Sequence, residues 1–208
     1  MKIGTLGAGK VAQTLGLGFT AKGHHVLIGS RCAQTEALAQ WQEKAGAYGR
    51  IGSLPEAAAY GDIILLAINP WPEIEGVLKA LDAQTLVGKV LIDLSNNIEF
   101  GTVPRLAFHD RTMGELIQEW LPETHVVKTL NALPAALMVN PAARGVVPSA
   151  MWVAGNQPAA KATVTTLLHD LGWDEVFDLG DIRQSRLQEA FGLLTSIVVT
   201  DLLAQAKG

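Results

Sequence analysis

The stretch Lys2-Ile3-Gly4-Thr5-Leu6-Gly7-Ala8-Gly9-Lys10-Val11-Ala12 decides the fold of this chain. Its first five residues have the apolar pattern of a β-strand, and residues 12–22 have the composition of a helix. Between them, Gly7 permits a tight turn, and Gly9 lets the backbone approach a pyrophosphate that a side chain would repel. The helix N-terminus offers unpaired N–H groups to the same phosphates. The stretch therefore predicts a dinucleotide site with contacts from Gly7, Ala8, Gly9, Lys10 and Val11.

The same letters contain a second phosphate-binding motif. Residues 4–10 match G-x-x-x-x-G-K, the loop of nucleoside triphosphatases. That loop needs a Ser or Thr hydroxyl for magnesium at the next position, where this chain has Val11. It would also take Gly4 out of the first strand. The dinucleotide interpretation is therefore favoured.

The end of the second predicted strand, over 25–29, distinguishes between two dinucleotides. An NAD site usually has an Asp or Glu there for the ribose 2′-hydroxyl. This strand ends in Ser30 and Arg31, and no acid occurs before Glu36. A hydroxyl and a guanidinium can bind a 2′-phosphate through charge-assisted hydrogen bonds, whereas a carboxylate would repel it. Ser30 and Arg31 therefore predict NADP(H) as the cofactor.

Along the chain, short apolar runs alternate with alanine- and leucine-rich segments of helical length. Strands are predicted over 2–7, 25–29, 62–68, 89–95, 125–130, 150–154 and 174–178. Helices are predicted over 10–22, 33–45, 55–60, 73–82, 112–120, 133–138, 158–171 and 183–205. This order is typical of the α/β class, with a Rossmann-type, doubly wound, mostly parallel sheet and a long C-terminal helix. We expect a single domain over 1–208, in which 1–131 form the dinucleotide-binding core and 132–208 complete the pocket.

Composition limits the possible partners. Charged residues make up 17% of the chain and the net charge is −4, which disfavours nucleic acid and anionic membranes. The longest apolar run, 63–68, is far shorter than the roughly 20 residues that span a bilayer. The absence of an export signal and a lone Cys32 predict a cytoplasmic location.

The last predicted helix extends to Ala206 and has apolar residues at helical spacing. They are Leu187, Ala190, Phe191, Leu194, Ile197, Val198 and Leu202. Packing on the chain's own sheet is the simpler interpretation of this face. Contact with a second copy in a homodimer is the alternative.

Several further segments carry a family resemblance. They are 28–31, Pro70-Trp71, 130–136, 153–155, Leu179-Gly180 and 185–189, besides the glycine motif. In these segments the chain resembles, nearly end to end, the F420-dependent NADP oxidoreductases and their dinucleotide-binding relatives, whose fold also forms the NADPH domain of STEAP-type metalloreductases. The resemblance implies hydride transfer between NADPH and a flavin-like ring, either coenzyme F420 or FMN/FAD, with electrons passing onward to ferric iron or a quinone.

Chemistry between two stacked rings needs proximity and a dry pocket more than a catalytic side chain. We therefore predict no catalytic acid, base or nucleophile. No metal site is predicted either, because the histidines lack metal-ligand spacing. Four of them are interpreted as surface or loop residues: His24, His109, His125 and His169.

Three loops at strand carboxyl ends are expected to line the reactive pocket. They contribute Ile68, Asn69, Pro70 and Trp71 after the central strand, Asn96 after the next, and Asn131, Leu133 and Pro134 in the loop that the resemblance assigns to the second ring. Simpler alternatives exist for all three. Pro72 and Pro134 suit helix starts, and Ser95-Asn96-Asn97 suits a polar turn.

Two other functions stay open. One is NADPH-dependent reduction of a small imine or carbonyl, which needs a proton donor; Lys128 is the one candidate at a strand end. The other is a non-catalytic NADP(H)-sensing module. The sequence leaves the hydride acceptor, the direction of reaction and the oligomeric state undecided.

Overall fold

An eight-stranded sheet forms the centre of the computed structural model, which describes residues 1–145 and 148–205. In chain order its strands are β1 (Lys2–Leu6), β2 (His25–Gly29), β3 (Gly49–Gly52), β4 (Ile63–Leu66), β5 (Val90–Asp93), β8 (His125–Lys128), β9 (Ala150–Gly155) and β10 (Glu175–Asp178). Between β5 and β8 the chain forms a separate small hairpin of β6 (Ile98–Glu99) and β7 (Arg105–Leu106). The spatial order is β3-β2-β1-β4-β5-β8-β9-β10, and every neighbouring pair is parallel except β8 with β9. The predicted Rossmann-type fold is thereby confirmed.

Helices cover both faces of the sheet. They are α1 (Lys10–Thr20), α2 (Glu36–Ala45), α3 (Leu54–Tyr60), α4 (Glu73–Ala80), α5 (Met113–Trp120), α6 (Ala135–Met138), α7 (Pro158–Asp170) and α8 (Ser185–Gln205). Because each face is covered, all four residues of β4 are buried apolar side chains. The two faces form two separate apolar clusters, one around Leu15 and Trp173 and the other around Leu66 and Ile117.

Capping side chains set several helix starts. The Thr35 hydroxyl accepts a hydrogen bond from the Leu38 N–H, so α2 begins at Glu36 rather than at the predicted residue 33. Ser53 and Thr112 each form a capping box with a glutamate three residues later, at the starts of α3 and α5.

Three of the strands, β3, β6 and β7, were not predicted. Strand β3 has the sequence Gly-Arg-Ile-Gly, and glycine-rich edge strands carry little apolar alternation. Gly49 is required there, since a Cβ would lie 2.2 Å from the Cβ of Ala45 in α2. The hairpin of β6 and β7 lies between the predicted strand over 89–95 and the predicted helix over 112–120, and each of its strands has only two residues.

Several predicted strands end earlier in the structure. Strand β4 ends at Leu66 and β8 at Lys128, so the residues that follow belong to loops at the carboxyl edge of the sheet. Between the predicted helix over 133–138 and the predicted strand over 150–154, the structure has a short helical turn at Pro141–Arg144, and residues 146 and 147 lie outside the described part.

Helix α8 begins at Ser185, directly after a helical turn over Ile182–Gln184. The end of the predicted helix at Ala206 and the side chain of Leu202 lie outside what the structure describes. Four apolar side chains of α8 are exposed, at a spacing that puts them on one face: Leu187, Phe191, Leu194 and Val198. Contact of this face with a second copy stays a prediction. None of the described helices is long and apolar enough to cross a membrane.

Candidate cofactor site

The loop between β1 and α1 has two glycines with different roles. Gly7 has φ +117°, and a Cβ on it would lie 2.4 Å from the carbonyl oxygen of Ala67, so only glycine fits. Gly9 has an ordinary extended conformation, and a Cβ on it would meet nothing within 4 Å. Gly9 therefore faces open space at the N-terminus of α1, which has no side-chain cap and no acid in its first turn. This is the arrangement that an incoming phosphate requires.

Beside this loop lies a cleft of about 550 Å³, which we call the central cleft. Its volume is in the range of small-molecule sites. It is lined by Gly7, Ala8, Gly9, Lys10, Val11, Ser30, Arg31, Cys32, Leu54, Ala67, Ile68, Asn69, Glu73 and Val77. The central cleft thus brings together nine of the predicted site residues, from three loops at the carboxyl edge of the sheet.

Ser30 and Arg31 form one end of the central cleft. The Ser30 N–H donates to the carbonyl of Gly52, and its hydroxyl donates to the carbonyl of Cys32 at 2.8 Å. The Arg31 side chain is 74% exposed, and its Nη1 lies 2.9 Å from a carboxylate oxygen of Glu73. Cys32 beside it is also exposed. The two side chains predicted to hold a 2′-phosphate therefore face the cleft, with Arg31 already paired.

The loop after β4 contributes less of the cleft than expected. Ile68 and Asn69 line it, but Pro70 and Trp71 do not. The Trp71 ring packs edge to face on Phe108, with ring centres 5.4 Å apart, and belongs to the second apolar cluster. The Trp71 ring therefore contributes to the packing of this loop, and its contact with the cofactor stays a prediction.

Asn96 and Asn131 join the loops after β5 and β8. The Asn96 amide donates to the Asn131 carbonyl at 2.8 Å, and the Asn131 amide donates to Asn96 Oδ1 at 2.7 Å and to the Gln188 carbonyl in α8. The Asn131 side chain is buried, and its Oδ1 has no hydrogen-bond partner among the described residues. α8 comes close because of Gly192, whose Cβ would lie 2.5 Å from Asn96 Oδ1. These hydrogen bonds fix the loops after β5 and β8 to each other and to α8 at the carboxyl edge of the sheet.

Two smaller spaces flank the loop after β8. The first, about 260 Å³, is mostly apolar and is lined by Leu130, Asn131, Ala132, Leu133, Pro148, Ser149, Ala150, Met151, Trp152, Phe191 and Thr195. The second, about 270 Å³, is more open and is lined by Phe100, Asn131, Ala132, Leu133, Pro134, Gly192, Thr195 and Ser196. Because β9 is antiparallel to β8, its first residues reach the same edge. Leu133 is thus in a position to contact a second ligand from either space.

Lys128 lies under this loop as part of a buried ionic cluster. Its ammonium group is 2.8 Å from Asp93 and 3.0 Å from Glu189, and the three side chains are almost fully buried. Burial lowers the pKa of Lys128, but the two carboxylates outweigh burial and hold that pKa above its ordinary value. Lys128 therefore stays charged. It is fully buried and lines none of the three spaces described above, so it is not placed to donate a proton to an imine or carbonyl substrate.

Glu189 connects the cluster to two helices. One of its oxygens accepts a hydrogen bond from the Met113 N–H at the start of α5, and the other has no partner among the described residues. Burial raises the pKa of Glu189, although the charge of Lys128 opposes that rise. Glu189 was not singled out in the sequence because acids in a helix are ordinarily exposed.

His24 lies in the loop between α1 and β2, as interpreted from the sequence, but it is buried there. Its ring lies between the Asp170 carboxylate at 3.0 Å and the N-terminal amine at 3.2 Å. His169 is bonded to the carbonyl of Trp173. Among the described residues, no group of three or more His, Cys, Asp or Glu side chains is placed to hold a metal ion.

Comparison with known proteins agrees with this geometry. The model of a family described as coenzyme F420-dependent NADP oxidoreductase matches residues 2–97. The crystal structure of a candidate F420-dependent NADP reductase from Arthrobacter sp. FB24 is 35% identical and covers 98% of this chain and 95% of its own, with a TM-score of 0.89. This chain belongs to the F420-dependent NADP oxidoreductase family. The predictions of the family and of an NADP-dependent oxidoreductase are confirmed.

Two other similar proteins are longer than this chain. The metalloreductase STEAP3 of Rattus norvegicus is 30% identical over 98% of this chain, but the chain spans only 39% of that curated relative. An imine reductase from Streptomyces aurantiacus is 17% identical, with a TM-score of 0.65 over 93% of this chain and 61% of its own. The latter likeness shows a shared fold alone.

Proposed function

We propose that this oxidoreductase binds NADP(H) in the central cleft, with the pyrophosphate at the start of α1 and the 2′-phosphate at Arg31. The observation that carries the proposal is Gly9, which faces open cleft at an uncapped helix N-terminus. Arg31 and Lys10 line the same cleft and supply positive charge for the phosphates. The proposed contacts continue through Ile68 and Asn69 toward the loops after β5 and β8.

We further propose that the hydride acceptor is a flavin-like ring, coenzyme F420 or FMN/FAD, bound against residues 131–134. NADPH supplies the hydride, and the acceptor ring takes it. The loop offers an apolar surface at Leu133 and Pro134, and the neighbouring space is walled by Trp152 and Phe191, whose rings pack edge to face at 5.3 Å. An apolar wall excludes water from the reacting rings, which favours transfer over side reactions. Buried Lys128 speaks against the imine and carbonyl alternative.

Substitution of Arg31 tests the cofactor. Charge-assisted hydrogen bonds contribute about 1.5–3 kcal/mol, but part of that is offset because Arg31 must leave Glu73 and is exposed. Arg31→Ala is therefore expected to weaken NADPH binding by about 5- to 30-fold and to leave NADH binding unchanged within about twofold, measured by calorimetry.

Arg105→Ala is a matched control, since Arg105 is 76% exposed and pairs with Glu99 at 2.9 Å away from the cleft. This control should leave binding of both cofactors as in the wild type. Equal loss of NADPH and NADH in Arg31→Ala would mean that Arg31 holds the loop rather than the phosphate. A wild type that prefers NADH would contradict the cofactor assignment.

Substitution of Asn131 tests the acceptor side. Asn131→Ala removes the two side-chain bonds to Asn96 Oδ1 and the Gln188 carbonyl that help to hold this loop, so the rings would meet in a poorer geometry. Turnover with F420, FMN or FAD, supplied in turn, is expected to fall by about 5- to 50-fold, while NADPH affinity changes by less than about threefold.

Asn156→Ala is the control for Asn131→Ala. The Asn156 side chain also bonds the backbone, because its Oδ1 accepts a hydrogen bond from the Ile182 N–H, but it follows the antiparallel β9 and so lies at the opposite edge of the sheet. It should retain wild-type turnover. Unchanged turnover in Asn131→Ala with every acceptor that the wild type reduces would show that the loop after β8 does not bind the second ring.

A further inference from the structure

Glu73 is the one acidic side chain among the residues that line the central cleft. The other charged lining residues are Lys10 and Arg31. Glu73 is the first residue of α4, and its carboxylate is bonded to the Arg31 guanidinium at 2.9 Å. The Glu73 carboxylate is therefore bonded to the same Arg31 guanidinium group that is proposed to bind the 2′-phosphate.

This carboxylate acts on a 2′-phosphate in two ways. It competes for Arg31, although an ion pair with side chains 74% and 39% exposed is weak and easily opened. It also repels the incoming dianion, because it stays within a few ångströms of the guanidinium that the phosphate would contact. Both effects disappear when the ligand lacks the 2′-phosphate. Glu73 therefore acts selectively against ligands that carry a 2′-phosphate.

We propose that Glu73 is a specificity-determining residue that limits the preference of this oxidoreductase for the 2′-phosphorylated cofactor. The inference rests on the proposed binding of NADP(H) in the central cleft. A general role of Glu73 at the helix N-terminus does not account for its position, because Glu75 lies in the same first turn and pairs instead with Lys79 at 2.6 Å, outside the cleft lining. The two glutamates share the helix end but not the cleft.

The test uses Glu73→Gln and two ligands that differ only in the 2′-phosphate, 2′,5′-ADP and 5′-AMP. Glutamine keeps the side-chain length and removes the charge. Binding of 2′,5′-ADP, measured by calorimetry at low salt, is expected to tighten by about 3- to 20-fold, while 5′-AMP binding stays within about twofold. The gain should shrink at high salt, because screening weakens the repulsion that has been removed.

Glu75→Gln is the matched control, since it removes an equal charge from the same helix turn. It is expected to change neither affinity. The proposal is overturned if Glu73→Gln leaves 2′,5′-ADP binding unchanged or weakens it, if it tightens both ligands equally, or if Glu75→Gln gives the same gain. Thermal unfolding of both variants checks that α4 stays folded.

Failure of the proposed function has a different signature. In that case wild-type protein would bind 2′,5′-ADP no better than 5′-AMP, and Arg31→Ala would not alter the ratio. If Arg31→Ala lowers the ratio of 2′,5′-ADP affinity to 5′-AMP affinity while Glu73→Gln leaves that ratio unchanged, the NADP(H) site is supported and the inference about Glu73 is wrong.

Discussion

Gly9→Val is expected to weaken NADPH binding by more than about 100-fold while the protein stays folded. A Cβ on Gly9 meets no protein atom within 4 Å, so the valine side chain projects into the central cleft, where the pyrophosphate is proposed to lie. The backbone there is extended, with φ −73° and ψ −177°, which valine adopts without strain. Calorimetry measures the affinity, and the melting temperature should stay within about 2 °C of the wild type.

Gly7→Ala gives the opposite pattern and serves as the contrast. Its Cβ would lie 2.4 Å from the Ala67 carbonyl oxygen at a φ of +117°, so the cost falls on the fold rather than on the ligand. Wild-type NADPH affinity in a folded Gly9→Val protein would show that the phosphate loop has been assigned to the wrong residues.

Lys128→Met is expected to lower the free energy of unfolding by about 3–5 kcal/mol at neutral pH. Methionine fills much of the space of lysine but leaves the Asp93 and Glu189 carboxylates buried without their cation. Urea unfolding, followed by circular dichroism, measures the loss. Lys161→Met is the control: Lys161 pairs with Asp178, whose side chain is 58% exposed, so water can replace the lost partner and the cost should be about 1 kcal/mol or less.

The destabilisation by Lys128→Met should depend on pH. Burial raises the pKa of Glu189, and removing Lys128 removes the charge that opposes this rise. The folded variant then binds a proton that the unfolded chain releases above its pKa of about 4.3. The stability that comes from this raised pKa is complete at a pH below the pKa of Glu189 in the unfolded chain. It is lost as the pH rises through the pKa of Glu189 in the folded protein. The gap to the wild type should therefore be smaller in mildly acidic buffer; a gap that widens there would contradict a buried, uncompensated carboxylate.

The fold was largely predictable because its signals are local. The glycine motif, the buried run of β4 and the alternation of strands with helices each predict the sheet from a few neighbouring residues. Strand β3 was not predicted because two of its four residues are glycine and its position depends on contact with α2. Such an edge strand is defined by packing and not by its own pattern.

The candidate site likewise has residues that local sequence patterns predict and residues that only the folded chain brings together. Gly9 and Arg31 could be placed from the sequence because each lies within two residues of a predicted strand or helix. The partners of Arg31 and Lys128 could not, since Glu73 and Glu189 are separated from them by many residues and meet them only in the folded chain. The packing of Trp71 on Phe108 could not be predicted, because an aromatic residue after a strand fits a ligand wall and a packing role equally well.

Cys32 gives the chain a built-in position for chemical labelling. It is the single cysteine of the sequence, it is exposed, and it lines the central cleft next to Arg31. A thiol-reactive dye would therefore attach at one place in the unmodified protein, beside the proposed 2′-phosphate contacts. Occupancy of the cleft can then be followed by fluorescence in real time, without redesigning the chain and without knowing the hydride acceptor.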